Sequence, residues 1–467
     1  MSDVNKRVDM PVREPDERNK DFYEVSLGYD EQMAQKEASR CINCKTKPCV
    51  KGCPLNIDIP EFISFIAKGE FEEANKKIKE KNTMPAICGR VCNQECQCEK
   101  VCVRGIKGEA IAIGRLERFA ADWARENKKD SIPNDVAKKN KKVAIVGSGP
   151  SGLACAKSMH MYGYDVTIFE ALHVAGGVLM YGIPEFRLPK KIVEQEIKDL
   201  ERMGIKIKTN MVIGKVFSVD DLFEEGFSAV YIGAGAGLPK FMGIEGENAN
   251  GVYSANEFLT RVNLMKAYSF PKFDTPVSVK DKVAVVGGGN VAMDVARTAK
   301  RLGASCVYVV YRRGELEMPA RREEIEHAKQ EGIIFKFLKN PKRILKDEEG
   351  SVRAIQCVDM ELLEPDANGR RKVCEKPNTE HDIEVDTVIM AIGQAPNNLI
   401  TNETLDIKTR DFGGIEVNND TLQTTKQGVF AGGDVVTGAA TVTLAIKMGK
   451  QAAKAMNEYI EEKEHQA

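Results

Sequence analysis

The sequence predicts an α/β protein in which two Rossmann-like dinucleotide-binding units follow an α-helical, cysteine-rich region. Three observations carry this. "KVAIVGSGPSGLACAKSMHMYGYDVTIFE", from Lys142, reads as buried strand, glycine turn, helix and second strand. "KVAVVGGGNVAMDVARTAKRLGASCVYVVYRR", from Lys282, repeats the design. Nine of the 13 cysteines lie between Cys41 and Cys102, ahead of both units.

In the first region, "IPEFISFIAKGEFEEANKKIKEKN" puts Ile59, Phe62, Ile63, Ile66, Phe71, Ala74 and Ile78 close to one helical face, with Lys and Glu on the other. Residues 126–142 are polar, charged and broken by Pro133, which is a linker signature. Beyond the second unit, "VDTVIMA" (385–391) reads as a further buried strand. "GVFAGGDVVTGAATVTLAIKMGKQAAKAMNEYI" then supplies strand, glycine turn and helix.

A chain of 467 residues is long enough for several cores, and 68 basic against 69 acidic residues give a formal charge of −1. No field of one sign recommends a nucleic acid or an anionic membrane as partner. The opening "MSDVNKRVDMPVREPDERNKDF" lacks the apolar core of a secretory signal, and no apolar run approaches the ~18 residues of a membrane span. The reading is a cytoplasmic protein, where clustered cysteines hold metal more often than they form disulfides. Cys155, Cys306, Cys357 and Cys374 are scattered and read as small buried hydrophobes.

In the first glycine turn, Gly147 permits the tight turn, Gly149 lets backbone approach a pyrophosphate and Gly152 allows close helix packing. Glu170, ending the next strand, stands where a carboxylate accepts from ribose hydroxyls. The second turn offers Gly287, Gly289, Asn290 and Ala292, the alanine slightly widening the helix-to-strand packing. At the end of its second strand Arg312 and Arg313 replace the expected acid. A carboxylate there would repel the 2′-phosphate of NADP, whereas a guanidinium fork binds it, so NADPH is preferred over NADH. Arg321 and Arg322 either add charge to that site or form a solvated helix face with Glu323 and Glu324. Two sites in one chain suit a tightly held flavin beside an exchanging nicotinamide. No cysteine pair sits near the flavin half, so a dithiol outlet is not expected, and the cysteine region is the route left for electrons.

"CINCKTKPCVKGCP" spaces four thiols as C-x2-C-x4-C-x3-C-P, two residues longer in the middle than the bacterial ferredoxin run. In two-cluster ferredoxins the cysteine before proline serves the other cluster, which demands a second set. "CGRVCNQECQCEKVC" supplies Cys88, Cys92, Cys96, Cys98 and Cys102. Zinc also takes four cysteines at short spacing, but it cannot change oxidation state, so iron–sulfur clusters are favoured beside a flavin.

These motifs, with "PAICGRVC", "IAIGRLERF", "GGVLMYGIPEFRLPK", "YRRGELEMPARREE" and "FAGGDVVTGAATV", run in the order of the NADPH-dependent glutamate synthase small (beta) subunit family, which the chain resembles over nearly its whole length. It also resembles the large subunit of electron-bifurcating NADH-dependent reduced ferredoxin:NADP oxidoreductase and the N-terminal half of dihydropyrimidine dehydrogenase. The resemblance implies FAD, NADPH and two 4Fe-4S clusters. It divides the chain into an iron–sulfur domain (1–135), a flavin domain in two parts (141–280 and 385–467) and an NADPH domain (281–384) between them. One cluster is implied to take Cys41, Cys44, Cys49 and Cys102, the other Cys53, Cys92, Cys98 and Glu117. Cys88 and Cys96 are left over; Cys98 is preferred to Cys96 because its spacing before Cys102 matches the family. Gly177, Leu179, Arg187 and Thr441 are implied to belong to the flavin pocket, and Asp434 to stand near the ribitol.

The expected function is an oxidoreductase subunit that passes electrons from NADPH through FAD and the clusters to a second redox subunit, with no catalytic acid or base of its own. That partner is a glutamate synthase large subunit, or a small FAD and iron–sulfur subunit if the assembly bifurcates electrons, or ferredoxin. No nucleic acid or membrane is expected, and the assembly is a hetero-oligomer. The competing class is a zinc-stabilised binding module on a degenerate flavoprotein.

Overall fold

The computed structural model describes residues 4–129, 136–366 and 371–466. Pro133 and the centre of the expected linker lie outside the described residues.

The cysteine region is helical, as its patterning predicts, but the long apolar face is divided between two helices, Ile59–Ala67 and Phe71–Lys79. The break is a glycine cap. Gly69 takes a φ of 80°, its N–H donates to Ile66, and the N–H of Glu70 reaches back to Phe65. Both helices keep their apolar residues inward, with Phe62, Ile66, Ala74 and Ile78 fully buried. Phe71 meets Phe119 edge-on at 5.0 Å and Trp123 at 5.3 Å, locking the pair onto the helix Ile113–Glu126. Gly89 lets the helix Pro85–Val91 touch the same helix, since a Cβ there would lie 2.6 Å from the backbone nitrogen of Arg118. The second cysteine run is thereby held against the helix that carries Glu117.

The first parallel sheet has the order Val429–Ala431, Phe227–Ile232, Lys142–Val146, Asp165–Phe169, Lys206–Lys208. The four interior residues of Lys142–Val146 are buried, as expected for a strand covered on both faces. The last helix, Val442–Gln466, packs on Pro150–Met161, with Gly449 against the Ser151 carbonyl.

The second parallel sheet runs Val252–Ser254, Thr387–Met390, Lys282–Val286, Cys306–Tyr311, Ile334–Phe337. This corrects two expected boundaries. "VDTVIMA" is a strand, but Thr387–Met390 pairs with Lys282–Val286 and Val252–Ser254 and so belongs with the second sheet, not with the returning flavin part. Residues from Val252 onward join that sheet too, ahead of the expected start at 281. The chain crosses between the units where Leu238–Pro239 pairs with Gln394–Ala395. A short antiparallel sheet, Lys339–Lys346, Val352–Pro365, Arg371–Glu375 and His381–Glu384, is inserted before Thr387 and was not foreseen.

An N-terminal arm ties the units together. Arg18, 1% exposed, pairs with Glu331 at 2.9 Å, Phe22 stacks on Tyr268 at 4.4 Å, and the Val25 N–H donates to Phe186. Among the described residues no helix is long and apolar enough to cross a membrane.

Candidate functional site

The first glycine turn is built as its sequence predicts. Gly147, at φ 96°, lies under the Gly233 carbonyl, and a Cβ on Gly152 would collide with the Gly147 carbonyl oxygen. Gly149 caps the helix Pro150–Met161 and faces open space, the cradle a pyrophosphate needs at a helix N-terminus. Gly177, at φ 54°, brings its backbone against Gly149, where a Cβ would lie 2.9 Å from the Gly149 Cα. Leu179 is fully buried beside it in the helix Val178–Tyr181.

The Glu170 carboxylate is already engaged with its own turn. Oε2 accepts from the backbone N–H and the hydroxyl of Ser148, and Oε1 accepts from Leu172 at 2.8 Å. One lone pair on Oε1 stays available for a ribose hydroxyl. Gly433, at φ 77°, lays the terminal turn on Ser151, and Asp434 starts the next short helix. Asp434 Oδ1 accepts from Ala440 at 3.2 Å, and burial pushes its carboxyl up to about 6. Burial pushes the Tyr181 hydroxyl up to about 12, and the charges of Asp434 and Glu170 add to that rise. Thr441 caps the last helix, its hydroxyl accepting from Leu444 at 3.2 Å. The turns sit at the carboxyl ends of Lys142–Val146 and Val429–Ala431, which flank Phe227–Ile232, the edge where open parallel sheets bind nucleotides. These residues fit FAD.

Arg187 Nη1 donates to both oxygens of Asp294 at 2.7 Å and its Nε lies 3.2 Å from Glu324, so this side chain also reaches the unit of the second glycine turn.

In the second turn Gly287, at φ 144°, passes under the Ala391 carbonyl, Gly289 faces open space, and Ala292 is fully buried against the sheet. Asn290 holds the neighbouring loop, its Oδ1 accepting from the Arg321 N–H at 2.9 Å. Arg312 is exposed, and Arg313 has a buried Nε with no hydrogen-bond partner among the described residues. A buried, unanswered guanidinium donor beside an exposed arginine fits a phosphate ester such as the 2′-phosphate of NADPH. Arg321 donates to the Arg90 carbonyl at 2.7 Å and to Glu323, and the Arg322 N–H donates to Glu95, so this pair ties the nicotinamide unit to the cysteine region.

The cysteines separate into two groups. Cys41, Cys44, Cys49 and Cys102 are partly exposed and line one small cavity with Ile59, Pro60, Ile63, Ile111 and Ile113. Cys53, Cys92, Cys98 and Glu117 are all buried. Burial pushes the Cys53 thiol up to about 11, with Glu117 and Cys92 near it, and raises Cys98, near Glu99, Cys53, Glu117 and Cys92. Burial likewise raises Glu117 to about 7, while Asn82 Nδ2 donates to its Oε1 at 2.6 Å. Cys88 is fully buried and its thiol points to Asn82 Oδ1 at 3.6 Å; Cys96 is exposed. Asn82 is a site neighbour that sequence reasoning missed, its only signal being an Asn three residues before a helix. Among the described residues no three His, Cys, Asp or Glu side chains converge closely enough to hold a single metal ion.

Residues 18–129 match the family described as dihydropyrimidine dehydrogenase domain II, 4Fe-4S cluster, and residues 141–449 match pyridine nucleotide-disulphide oxidoreductase. The chain is 39% identical over 438 residues to the NADP(+)-dependent formate dehydrogenase subunit beta of Moorella thermoacetica, covering 89% of this chain and 60% of that one. It is 35% identical over 460 residues to the NADPH glutamate synthase small chain of Escherichia coli (strain K12), covering 97% of each. FprA of Mycobacterium tuberculosis, solved in complex with NADPH, shares the fold at a TM-score of 0.58 and 20% identity, over 70% of this chain and 86% of that one. The chain belongs to the pyridine nucleotide-disulphide oxidoreductase family, among the iron–sulfur flavoproteins that include NADPH glutamate synthase small chains and use FAD, NADP(H) and 4Fe-4S clusters.

Proposed function

We propose that this chain takes electrons from NADPH and delivers them to a second redox subunit that forms the product, a reading supported by its likeness to a chain named NADPH glutamate synthase small chain. The observation that supports this reading is that the expected ligands differ in burial, Cys53, Cys92, Cys98 and Glu117 being buried and Cys41, Cys44, Cys49 and Cys102 partly exposed. One deep and one shallow redox centre make a path from interior to surface.

When bound, flavin and nicotinamide exchange a hydride and the clusters accept single electrons. The protein's residues align and insulate. Gly149 and Gly177 admit a pyrophosphate to the helix N-terminus, and Glu170 and Asp434 offer acceptors to its sugar hydroxyls. Arg312 and Arg313 take the 2′-phosphate. The Arg187 pair with Asp294 and Glu324 fixes the nicotinamide unit against the flavin unit, as ring alignment requires. The proposed domains are residues 1–135 for the clusters and, after the strand exchange above, a flavin unit and a nicotinamide unit joined near Leu238 and Gln394.

The partner is proposed as a separate redox subunit, since similar chains carry the name of a subunit or small chain. Anaerobic addition of NADPH to the purified chain tests the reading. Flavin bleaching at stoichiometric NADPH, with a far weaker response to NADH, is expected. A colourless, zinc-containing chain that leaves NADPH unoxidised contradicts it.

A further inference from the structure

A cavity of about 340 Å³ opens where three parts of the chain meet. The N-terminal arm lines it with Glu24, Val25 and Ser26, the helix Pro85–Val91 with Gly89 and Arg90, and the nicotinamide unit with residues 321–324 and His327. Arg187 forms part of one wall, but no residue of either glycine turn, neither Arg312 nor Arg313, and no expected cluster ligand lines the cavity. Its volume lies at the lower end of the range that small-molecule sites occupy, about 300–1,000 Å³.

The wall is charged and mostly basic. Nine of the lining side chains are Lys or Arg and five are Glu. The five acids are already answered: Glu24 by Arg90 and Arg118, Glu99 by Arg7, Glu323 by Arg321, Glu324 by Arg297, and Glu95 by the Arg322 N–H. Asp122 and Asp294, outside the lining, take up further charge on Arg90, Arg118 and Arg187. The remaining excess sits on three side chains. Lys100 and the Arg322 guanidinium are exposed and have no ion-pair partner among the described residues. Arg115 is held at longer range, Nη1 donating to the Val8 carbonyl at 3.3 Å and Nη2 lying 3.7 Å from Glu323.

Two buried polar atoms of the lining residues lack a hydrogen-bond partner among the described residues: His327 Nδ1, and Arg187 Nε, which is near Glu324 without being hydrogen-bonded to it. His327 is 7% exposed. Burial, and after it Arg297, pushes its imidazole down to about 4, so at neutral pH the ring is uncharged and a proton on Nδ1 is free to be donated. A buried donor left unanswered is costly, and in a basic wall an anion answers it.

We infer that this cavity binds a compact polyanion, a small molecule with two or more phosphate or carboxylate groups, whose charges pair with Arg322, Arg115 and Lys100 and one of whose oxygens accepts from His327 Nδ1. The guanidinium fork matches either kind of oxyanion. Bound there, the anion touches the arm, the cysteine region and the nicotinamide unit together, so it stabilises their mutual arrangement. The inference does not depend on where the electrons of the proposed function go.

The test uses the full chain with flavin and clusters in place and NADP+ at saturation, so that both nucleotide sites are filled. Titration calorimetry with inorganic pyrophosphate and, separately, with tricarballylate should show one saturable site with a dissociation constant below about 1 mM for at least one of them, and the one that binds names the class. Sodium chloride at the same ionic strength should give no such site. The anion that binds should raise Tm as its concentration rises and slow amide exchange in residues 24–26 and 321–327. Arg322→Gln and His327→Leu should each weaken binding at least about tenfold, the scale of one lost hydrogen bond to a charged group, and leave FAD and NADP+ binding unchanged. The Arg322 side chain is exposed, so Arg322→Gln decides the matter where His327→Leu does not fold. Binding of neither anion, binding weaker than about 1 mM, which is an adventitious ion only, or affinity unchanged in either folded variant overturns the inference. All of these outcomes leave the proposed function standing, since none of them reads electron transfer.

Discussion

Asn82 donates to Oε1 of Glu117 at 2.6 Å in a fully buried site, while its own Oδ1 accepts from the Met84 N–H and faces the Cys88 thiol. One amide thus orients the carboxylate, holds the Met84 N–H at the entry to the helix Pro85–Val91 and faces a leftover cysteine. Asn82→Ala should lower unfolding stability by about 2 kcal/mol, the cost of a buried hydrogen bond to a charged group. It should also shift the potential of one cluster and leave the other in place. Chemical denaturation and potentiometric electron paramagnetic resonance check both.

Glu117 itself should be a ligand. Glu117→Ala should reduce bound iron by about half, with the loss confined to one cluster signal. Glu117→Cys should retain iron and change that cluster's spectrum and potential. Iron analysis and low-temperature spectra decide, and unchanged spectra in both variants count against the role.

Cys96 and Cys98 should behave oppositely. Cys96 is exposed, while Cys98 is buried beside Cys53, Cys92 and Glu117. Cys98→Ser should lose about half the iron, and Cys96→Ser none of it.

At the nicotinamide site, Arg312→Glu with Arg313→Glu should raise KM for NADPH at least about tenfold and change that for NADH little, by removing and then repelling the 2′-phosphate. Rapid-mixing measurements of flavin bleaching with both nucleotides give the ratio.

The Glu324 carboxyl makes the acid limb of stability predictable. Burial alone would raise it, but Arg187 and Arg297 outweigh burial and hold it at about 2. A folded value below the unfolded one means that Glu324 stabilises fully above the ordinary glutamate range and loses that contribution as pH falls toward about 2. The loss should amount to about 3 kcal/mol, and Glu331, held low by Arg297 and Arg301, adds to it with the same sign. Urea midpoints from pH ~5 downward should therefore fall steeply in the unaltered chain and less in Glu324→Gln.

Much of this architecture is readable from local pattern. The glycine turns, buried strands and cysteine spacings are short-range signals, and each appears where its residues imply. The missed features join distant residues. Asn82 meets Glu117 across 35 positions and Arg187 meets Asp294 across 107, and nothing in either local sequence names its partner. Thr387–Met390 is an apolar run that suits any parallel sheet, so its pattern reveals a strand but not which sheet receives it. The helix break at Gly69 was visible as a glycine, yet the continuous apolar spacing on either side masked it.

Iron per chain in anaerobically purified protein tests the central claim most directly. Two four-ligand sets predict about eight iron atoms and eight inorganic sulfides beside one FAD. About four iron atoms, or zinc in place of iron, would contradict the division of the ligands into a buried and a partly exposed redox centre.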